Sequence, residues 1–252
     1  MNPIYWSPII FFFIAFVFSM LGMGGSQLYI PILFWLGMDF KTQTIPLGML
    51  LNVVNSSSAA FVYARKKLID WHVAIPFGIT MVIFAPLGTL VNINLPTKPV
   101  ILIFAIFTAT AAILMLSGWR PKRGNLSLHQ RLILGICSGS ILGFFAGLIG
   151  RGGGSFVVPL LYIAGLEPKT AAATSALIVT FSGSSSFISH ILTAAKPNWL
   201  IWILCVLGVF LGSQTGSRLM AKKLKSKTIR LIFGFVLLSV AGILIIKDVI
   251  KS

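Results

Sequence analysis

Acidic side chains are almost missing from this sequence. The 252 residues include four, Asp39, Asp70, Glu167 and Asp248, all at the ends of apolar segments. That scarcity leaves no paired carboxylates for acid–base work within a segment and no carboxylate cage for a cation. Cysteines are as scarce: Cys137 and Cys205 lie inside apolar segments without a partner motif, so neither a disulfide framework nor a metal site is expected. Walker loops and nucleophile elbows are absent too. Ordinary catalysis is poorly supplied, and the expectation is a protein that is not an enzyme and carries no cofactor and no metal. Charge of any sign is scarce, at 10% of residues, whereas a soluble domain carries about 25%. Such a chain cannot cover a water-facing surface.

What is abundant is apolar. Hydrophobic residues make up 57% of the chain and the mean hydropathy is +0.98, so an integral membrane protein embedded in a lipid bilayer is expected. Twenty basic residues stand against the four acids. In a soluble protein that excess would point to nucleic acid. Here most of it sits in short loops between apolar runs, so loop charge that sets membrane topology is the reading, and no nucleic-acid partner is expected. No Lys or Arg precedes the first apolar stretch, so a cleaved signal peptide is not expected.

Eight apolar segments are predicted, over about 6–37, 43–64, 72–94, 99–119, 132–165, 171–195, 199–219 and 229–248. A spanning helix needs about 20 residues, and the first and fifth segments are much longer. Each is interrupted by glycines, at Gly22-Met23-Gly24-Gly25-Ser26 and Gly150-Arg151-Gly152-Gly153-Gly154-Ser155, with Pro31 or Pro159 following. Glycine lowers helix propensity and proline removes a donor, so both segments read as broken helices.

These segments are also copies. An offset of 128 carries Gly22, Gly24, Gly25, Pro31, Gly37, Lys41 and Thr42 onto Gly150, Gly152, Gly153, Pro159, Gly165, Lys169 and Thr170. It also carries Ser56–Ser58 onto Ser184–Ser186, and Asp70-Trp71 onto Asn198-Trp199. The predicted fold class is therefore an all-α polytopic membrane protein of two homologous halves. Each half has a glycine-broken helix, re-entrant or split, plus three transmembrane helices. The first repeat covers 1–119, a polar cytoplasmic linker 120–131, and the second repeat 132–252.

Topology follows from the basic residues. Eight single crossings divide them ten to nine, with no bias. Letting each broken segment enter and leave on one side gathers Arg65–Lys67, the linker's four, Lys169 and the six of Arg218–Arg230 on one face, fourteen in all. The other face keeps Lys41, Lys98, Lys196, Lys247 and Lys251, which is five. Such an asymmetry places the fourteen in the cytoplasm and makes the halves inverted repeats, an arrangement common in secondary transporters.

The glycine breaks carry the functional signal. Freed backbone N–H groups at the start of a half-helix concentrate donors and partial positive charge where an anion can sit. The expected substrate site joins Gly24, Gly25, Ser26 and Gln27 to Arg151, Gly152, Gly153, Gly154 and Ser155. Arg151 is a basic residue in the middle of a long apolar segment, and such an arginine faces a cavity and meets an anion or carbonyls. The bland alternative is that the glycines only let helices pack closely. A second polar stripe runs Thr44, Gly48, Asn52, Asn55, matched by Ala172, Ala176, Thr180 and Gly183. Packing explains it as well as substrate lining does, and Asn52 and Thr180 are the lining candidates. His72 and His129 fall at or beyond segment ends, whereas His190 lies inside the sixth segment. It is the candidate proton relay, against the plainer reading of a neutral histidine bonded to a neighbouring helix. Asp70 and Asn198, each before a tryptophan, read as N-caps beside interfacial rings.

The pattern Gly-x-Gly-Gly-Gly-x-x-x-x-Pro at Gly150–Pro159, followed by Ala173-Thr174-Ser175, resembles the TauE/SafE family of sulfite exporters. The resemblance spans nearly the whole chain, the duplication included. It departs from the pattern at Ser26, where the second half has a third glycine, and at Pro46-Leu47, which stands where the second half has Thr174-Ser175. The resemblance implies a multi-pass carrier in the cytoplasmic membrane. Its partner would be a small anionic sulfur compound such as sulfite, thiosulfate or sulfoacetate, or another small organic acid. An anion channel is the first rival and a membrane-embedded enzyme or assembly partner the second; direction, coupling ion and oligomeric state do not follow.

Overall fold

A computed structural model describes residues 3–117, 127–150, 154–192, 194–223, 235 and 238–246. Among these residues the structure is helical and holds no strand. One 3-10 turn, Pro3–Trp6, leads into α1 (Ser7–Leu21), which closes at Gly22 in the left-handed region at φ 66°. Only glycine takes that conformation without strain. The next helix, α2 (Ser26–Trp35), starts four residues later, and Asp39 then caps a widely wound turn, Phe40–Thr44, by accepting from the Thr42 amide at 2.8 Å. That turn runs directly into α3 (Ile45–Arg65), and α4 (Trp71–Asn94) and α5 (Thr97–Leu116) follow.

A second set of helices follows. Helix α6 (Leu128–Ile149) ends at Gly150, φ 65°, and α7 (Gly154–Ile163), α8 (Pro168–Ile191) and α9 (Trp199–Lys223) follow. Both α2 and α7 have ten residues. At 1.5 Å per residue each is about 15 Å long, half of a hydrocarbon core. Phe40–Arg65, α4, α6, α8 and the first 23 residues of α9 are five stretches long and apolar enough to cross a membrane. α6 begins inside the expected linker because Ser127 and Gln130 form a reciprocal capping box, which starts a helix in polar sequence. Asp70 caps α4, and the Ile201 amide donates to Asn198 at the head of α9; Trp71 and Trp199 are exposed, as expected of interfacial rings. Of the eighth predicted segment, residues 238–246 are described and helical.

Polarity runs inside out. In α3 and α8, 72% and 61% of the central stretch is buried, against 44% in α4, α6 and α9. The central pair therefore is α3 and α8, and they carry the buried Asn52, Asn55, Ser56, Thr174, Ser175 and His190. Outer helices turn apolar stripes to the lipid side, such as Ile79, Ile83, Leu87 and Leu90 on α4. The flanking contacts are reciprocal: α1 packs along α9 and α6 along α4, so the helix before each break leans on the far end of the other set.

Glycine ladders set these two pairs. On α9, a Cβ at Gly208, Gly212 or Gly216 would lie 2.4, 2.2 or 1.9 Å from the carbonyl oxygens of Pro8, Phe12 and Phe16. On α6, a Cβ at Gly143 would lie 2.7 Å from Met81 Cα, and one at Gly147 would lie 1.8 Å from the Ala85 oxygen. Small residues four apart let helix backbones touch, and dispersion replaces the missing hydrophobic drive. Gly212→Leu and Gly143→Leu should each lower the melting temperature of the detergent-purified protein, on the scale of about 1–3 kcal/mol for an overpacked contact. Gly242→Ala, at a position with no atom within 4 Å, is the neutral control. Unchanged melting in both leucine variants would remove the ladders from the account.

Candidate functional site

The two glycine breaks leave backbone groups without helical partners, and no water replaces those partners in hydrocarbon. Side chains of the central helices meet several of these groups and add to the Ser19 and Ala146 carbonyls, which also accept from the Gly22 and Gly150 amides. At the first break, the Gly22 carbonyl accepts from Ser175 Oγ on α8 at 2.6 Å, and the Ser19 carbonyl accepts from Tyr63 Oη on α3 at 2.7 Å. At the second, the Ala146, Gly147 and Leu148 carbonyls accept from Ser186 Oγ at 3.4 Å, His190 Nε2 at 2.8 Å and Asn92 Nδ2 at 2.7 Å. A carbonyl only accepts, so Nε2 of His190 bears the proton in this bond. The bond to a neighbouring helix is thus present for His190, which is buried.

The heads of the two half-helices meet. Ser155 Oγ donates to Gln27 Oε1 at 2.8 Å, and these residues stand 128 positions apart. A Cβ on Gly154 would lie 2.5 Å from Met23 Cα. The structure therefore brings Gly24, Gly25, Ser26, Gln27, Asn52, Gly154 and Ser155 into one buried cluster. Thr180 is half-buried on α8, beside Val179, which itself lies against Gly24. Arg151, Gly152 and Gly153, the remainder of the expected site, lie outside the described residues.

Two features differ from a pair of open helix heads. First, the Gly25 and Ser26 amides already have an acceptor, Asn52 Oδ1, at 3.0 and 3.4 Å. Thr180, at the equivalent place in the second half, turns back along its own helix and donates to the Ala176 carbonyl at 2.8 Å. Second, Gln27 and Ser155 are bonded to one another across the cluster. Among the described residues, several buried groups here have no hydrogen-bond partner: Asn52 Nδ2, both amide atoms of Asn55, and Tyr29 Oη. Each costs about 1–3 kcal/mol if left so.

Some of these participants were not visible as such in sequence. Asn55 belongs to the polar stripe but does not stand out from Gly48 or Asn52 by spacing. Tyr63 and Ser175 show nothing in sequence that separates a backbone-satisfying side chain from an ordinary packing one, and Tyr29 shows nothing that marks its unpartnered hydroxyl. Access is also closed: Ser26, Gln27, Asn52 and Ser155 are all at most 2% exposed. A cavity of about 310 Å³, lined by Gln43, Lys196, Asn198 and Trp202 among others, lies elsewhere, where the turn after α2 meets the start of α9. None of the expected site residues lines it.

Comparison with known proteins adds the family. The family described as "Sulfite exporter TauE/SafE" matches residues 8–244. The chain is similar to the "Probable membrane transporter protein YunE" of Bacillus subtilis, with 26% identity covering 92% of this chain and 93% of that protein. A "Probable membrane transporter protein" of Xylella fastidiosa is 28% identical over 90% of this chain and 89% of its own length. The "Sulfite exporter TauE/SafE family protein 6" of Arabidopsis thaliana is 31% identical over a shorter stretch, 35% of this chain and 21% of that protein.

Proposed function

The chain belongs to the sulfite exporter TauE/SafE family, and from that membership and the geometry above we propose that it is a secondary transporter. Its cargo in this reading is a small sulfur-containing oxyanion or organosulfonate, such as sulfite, thiosulfate or sulfoacetate, moved across the cytoplasmic membrane by alternating access. One observation carries the proposal: two ten-residue half-helices meet head to head through Ser155 and Gln27 in the buried centre of the bundle. Aligned peptide dipoles make such a meeting point attractive to an anion. Gly24–Gln27 and Gly152–Ser155 supply backbone and side-chain donors, Asn52 and Thr180 line the site, and Arg151 adds a planar fork of donors matched to an oxyanion. The 128-residue offset and the reciprocal packing of α1 on α9 and α6 on α4 support an inverted duplication whose halves rock about the site.

The test is flux into proteoliposomes with sulfite, thiosulfate and sulfoacetate as probes. Saturable uptake stimulated by counterflow is expected; conductance without saturation assigns an anion channel instead. Arg151→Lys should weaken binding and Arg151→Ala should weaken it further, by roughly ten- to a hundredfold, the scale of a charge-assisted hydrogen bond of about 1.5–3 kcal/mol. A folded Arg151→Ala protein with unchanged affinity places the site elsewhere.

Orientation is tested separately. In a background lacking Cys137 and Cys205, single cysteines replacing Lys66, Lys122 and Lys223 should all escape an impermeant label added to intact cells. Labelling of the Lys66 and Lys223 positions from opposite faces would sink the inverted reading.

If flux depends on pH, His190 is the residue we assign to it, since it is a buried titratable side chain in the last turn of α8, bonded beside a break. His190→Ala should then flatten the pH profile. An unchanged profile leaves the imidazole as the partner of the Gly147 carbonyl and nothing more.

A further inference from the structure

The carboxamide of Asn52 sits where an oxyanion would sit at the head of α2. Backbone N–H groups only donate, so the atom facing Gly25 and Ser26 is the amide oxygen, at 3.0 and 3.4 Å. The seat is built closely around that oxygen: a Cβ on Gly24 would lie 1.9 Å from it. At its other end Asn52 is unfinished, because Nδ2 is buried without a partner. One helical turn along the same face of α3, Asn55 is wholly buried with both amide atoms unpartnered. Tyr29 Oη, buried and unpartnered as well, lies 2.5 Å from where a Cβ on Gly25 would stand.

The chemistry of these unfinished groups is one-sided. Two amide nitrogens and a phenol offer hydrogens, while one amide oxygen is a dedicated acceptor. A donor-rich cluster of this kind is completed by a ligand that has many acceptor atoms and few hydrogens of its own, which describes an oxyanion. A capping asparagine whose only task was structural would have its second end satisfied too, since burial of a bare amide is costly. Among the described residues of the second half, Thr180 at the equivalent position is turned to its own helix instead.

We propose that Asn52 is an internal substitute for the transported anion. In the unloaded protein its oxygen holds the Gly25 and Ser26 amides. An arriving oxyanion takes those two donors, and the Asn52 amide swings clear of the head, with no hydrogen bond at Nδ2 among the described residues to hold it there. The proposal rests on the reading of the α2 head as part of the anion site. It explains how a helix head survives empty in a low-dielectric interior. It also supplies selectivity: an anion makes charge-assisted bonds about twice as strong as those of a neutral amide, so oxyanions displace Asn52 whereas neutral acceptors do not.

The measurement is a titration of the full-length purified protein with sulfite, followed by thermal stabilisation, with thiosulfate in parallel. Asn52→Ala should melt lower than wild type without anion, yet bind the probe more tightly, by about fivefold or more, the weight of one ordinary hydrogen bond removed from the competition. Asn52→Asp should bind it at least tenfold more weakly, because a fixed carboxylate holds the seat and repels the probe. Should Asn52→Ala not purify, Asn52→Thr, the residue found in the second half, replaces it with the same expectation. Wild type that binds while Asn52→Ala binds equally or more weakly overturns the substitute and leaves the anion site standing. Equal binding by Asn52→Asp overturns it as well. No response to either probe in wild type and in both variants overturns the anion site and the substitute together.

Discussion

Every backbone group freed inside hydrocarbon must find a partner within the protein, and much of this structure follows from that requirement. Glycine breaks at Gly22 and Gly150 end α1 and α6 part-way along otherwise apolar runs. Carbonyls at Ser19, Gly22, Ala146, Gly147 and Leu148, and amides at Gly25 and Ser26, are then met by side chains from elsewhere in the fold. Most of those side chains belong to α3 and α8. The two central helices are both polar and the most buried, and Asn52, Tyr63, Ser175, Ser186 and His190 on them are bonded to the backbone at the breaks. The outer helices can close around them only because the glycine ladders on α9 and α6 let backbones meet.

At several positions 128 residues apart the backbone is alike, and the side chains are not. Gly22 and Gly150 share a φ within one degree, as Gly37 and Gly165 do within two. Ser19 and Gly147, 128 apart, both have their carbonyls capped from the end of a central helix, by Tyr63 in one case and His190 in the other. Yet Asn52 faces its half-helix head while Thr180 turns away. Tyr29 corresponds to Val157, and Ser175, which holds Gly22, corresponds to Leu47. Like backbone geometry at such positions fixes where donors and acceptors are needed. It leaves free which residue meets each need, and that freedom is where a single site can acquire direction.

Much of this was legible from sequence, and the reason is physical. Long apolar runs, paired glycines and a proline mark the segments and their interruptions, since helix propensity and hydrophobic length act locally. The caps at Asp70 and Asn198 were legible for the same reason. The start of α6 was not, because the Ser127–Gln130 capping box overrides the polar composition of the linker. Nor was the bond from Asn52 to Gly25 and Ser26. A stripe of small polar residues on a membrane helix reads the same whether it packs, lines a site or satisfies a distant backbone, and only tertiary placement separates the three. Gln27 and Ser155 were expected as independent donors; their bond to each other depends on the crossing of two half-helices, which no local pattern encodes.

Lys41 shows the same limit from the side of charge. Counted with the loops, it is one of five basic residues on the poorer face. In the fold its ammonium group donates to the carbonyls of Asn92, at 2.5 Å, and Leu95, a favourable place for a cation at the carbonyl end of α4. Asn92 in turn donates to Leu148, two residues before the second break. A charge near the first half-helix is thereby tied, through the end of α4, to the end of α6. The ladder pairs α1–α9 and α4–α6 touch along their backbones and have many contacts to lose. The half-helix heads are joined through side-chain bonds, among them Ser155 to Gln27, Ser175 to Gly22, and Asn52 to Gly25 and Ser26. Hydrogen bonds between membrane helices are worth only about 0.6 kcal/mol on average. In the alternating-access reading, motion would be expected to spare the ladders and exchange the bonds at the heads, which is also where the anion is proposed to bind.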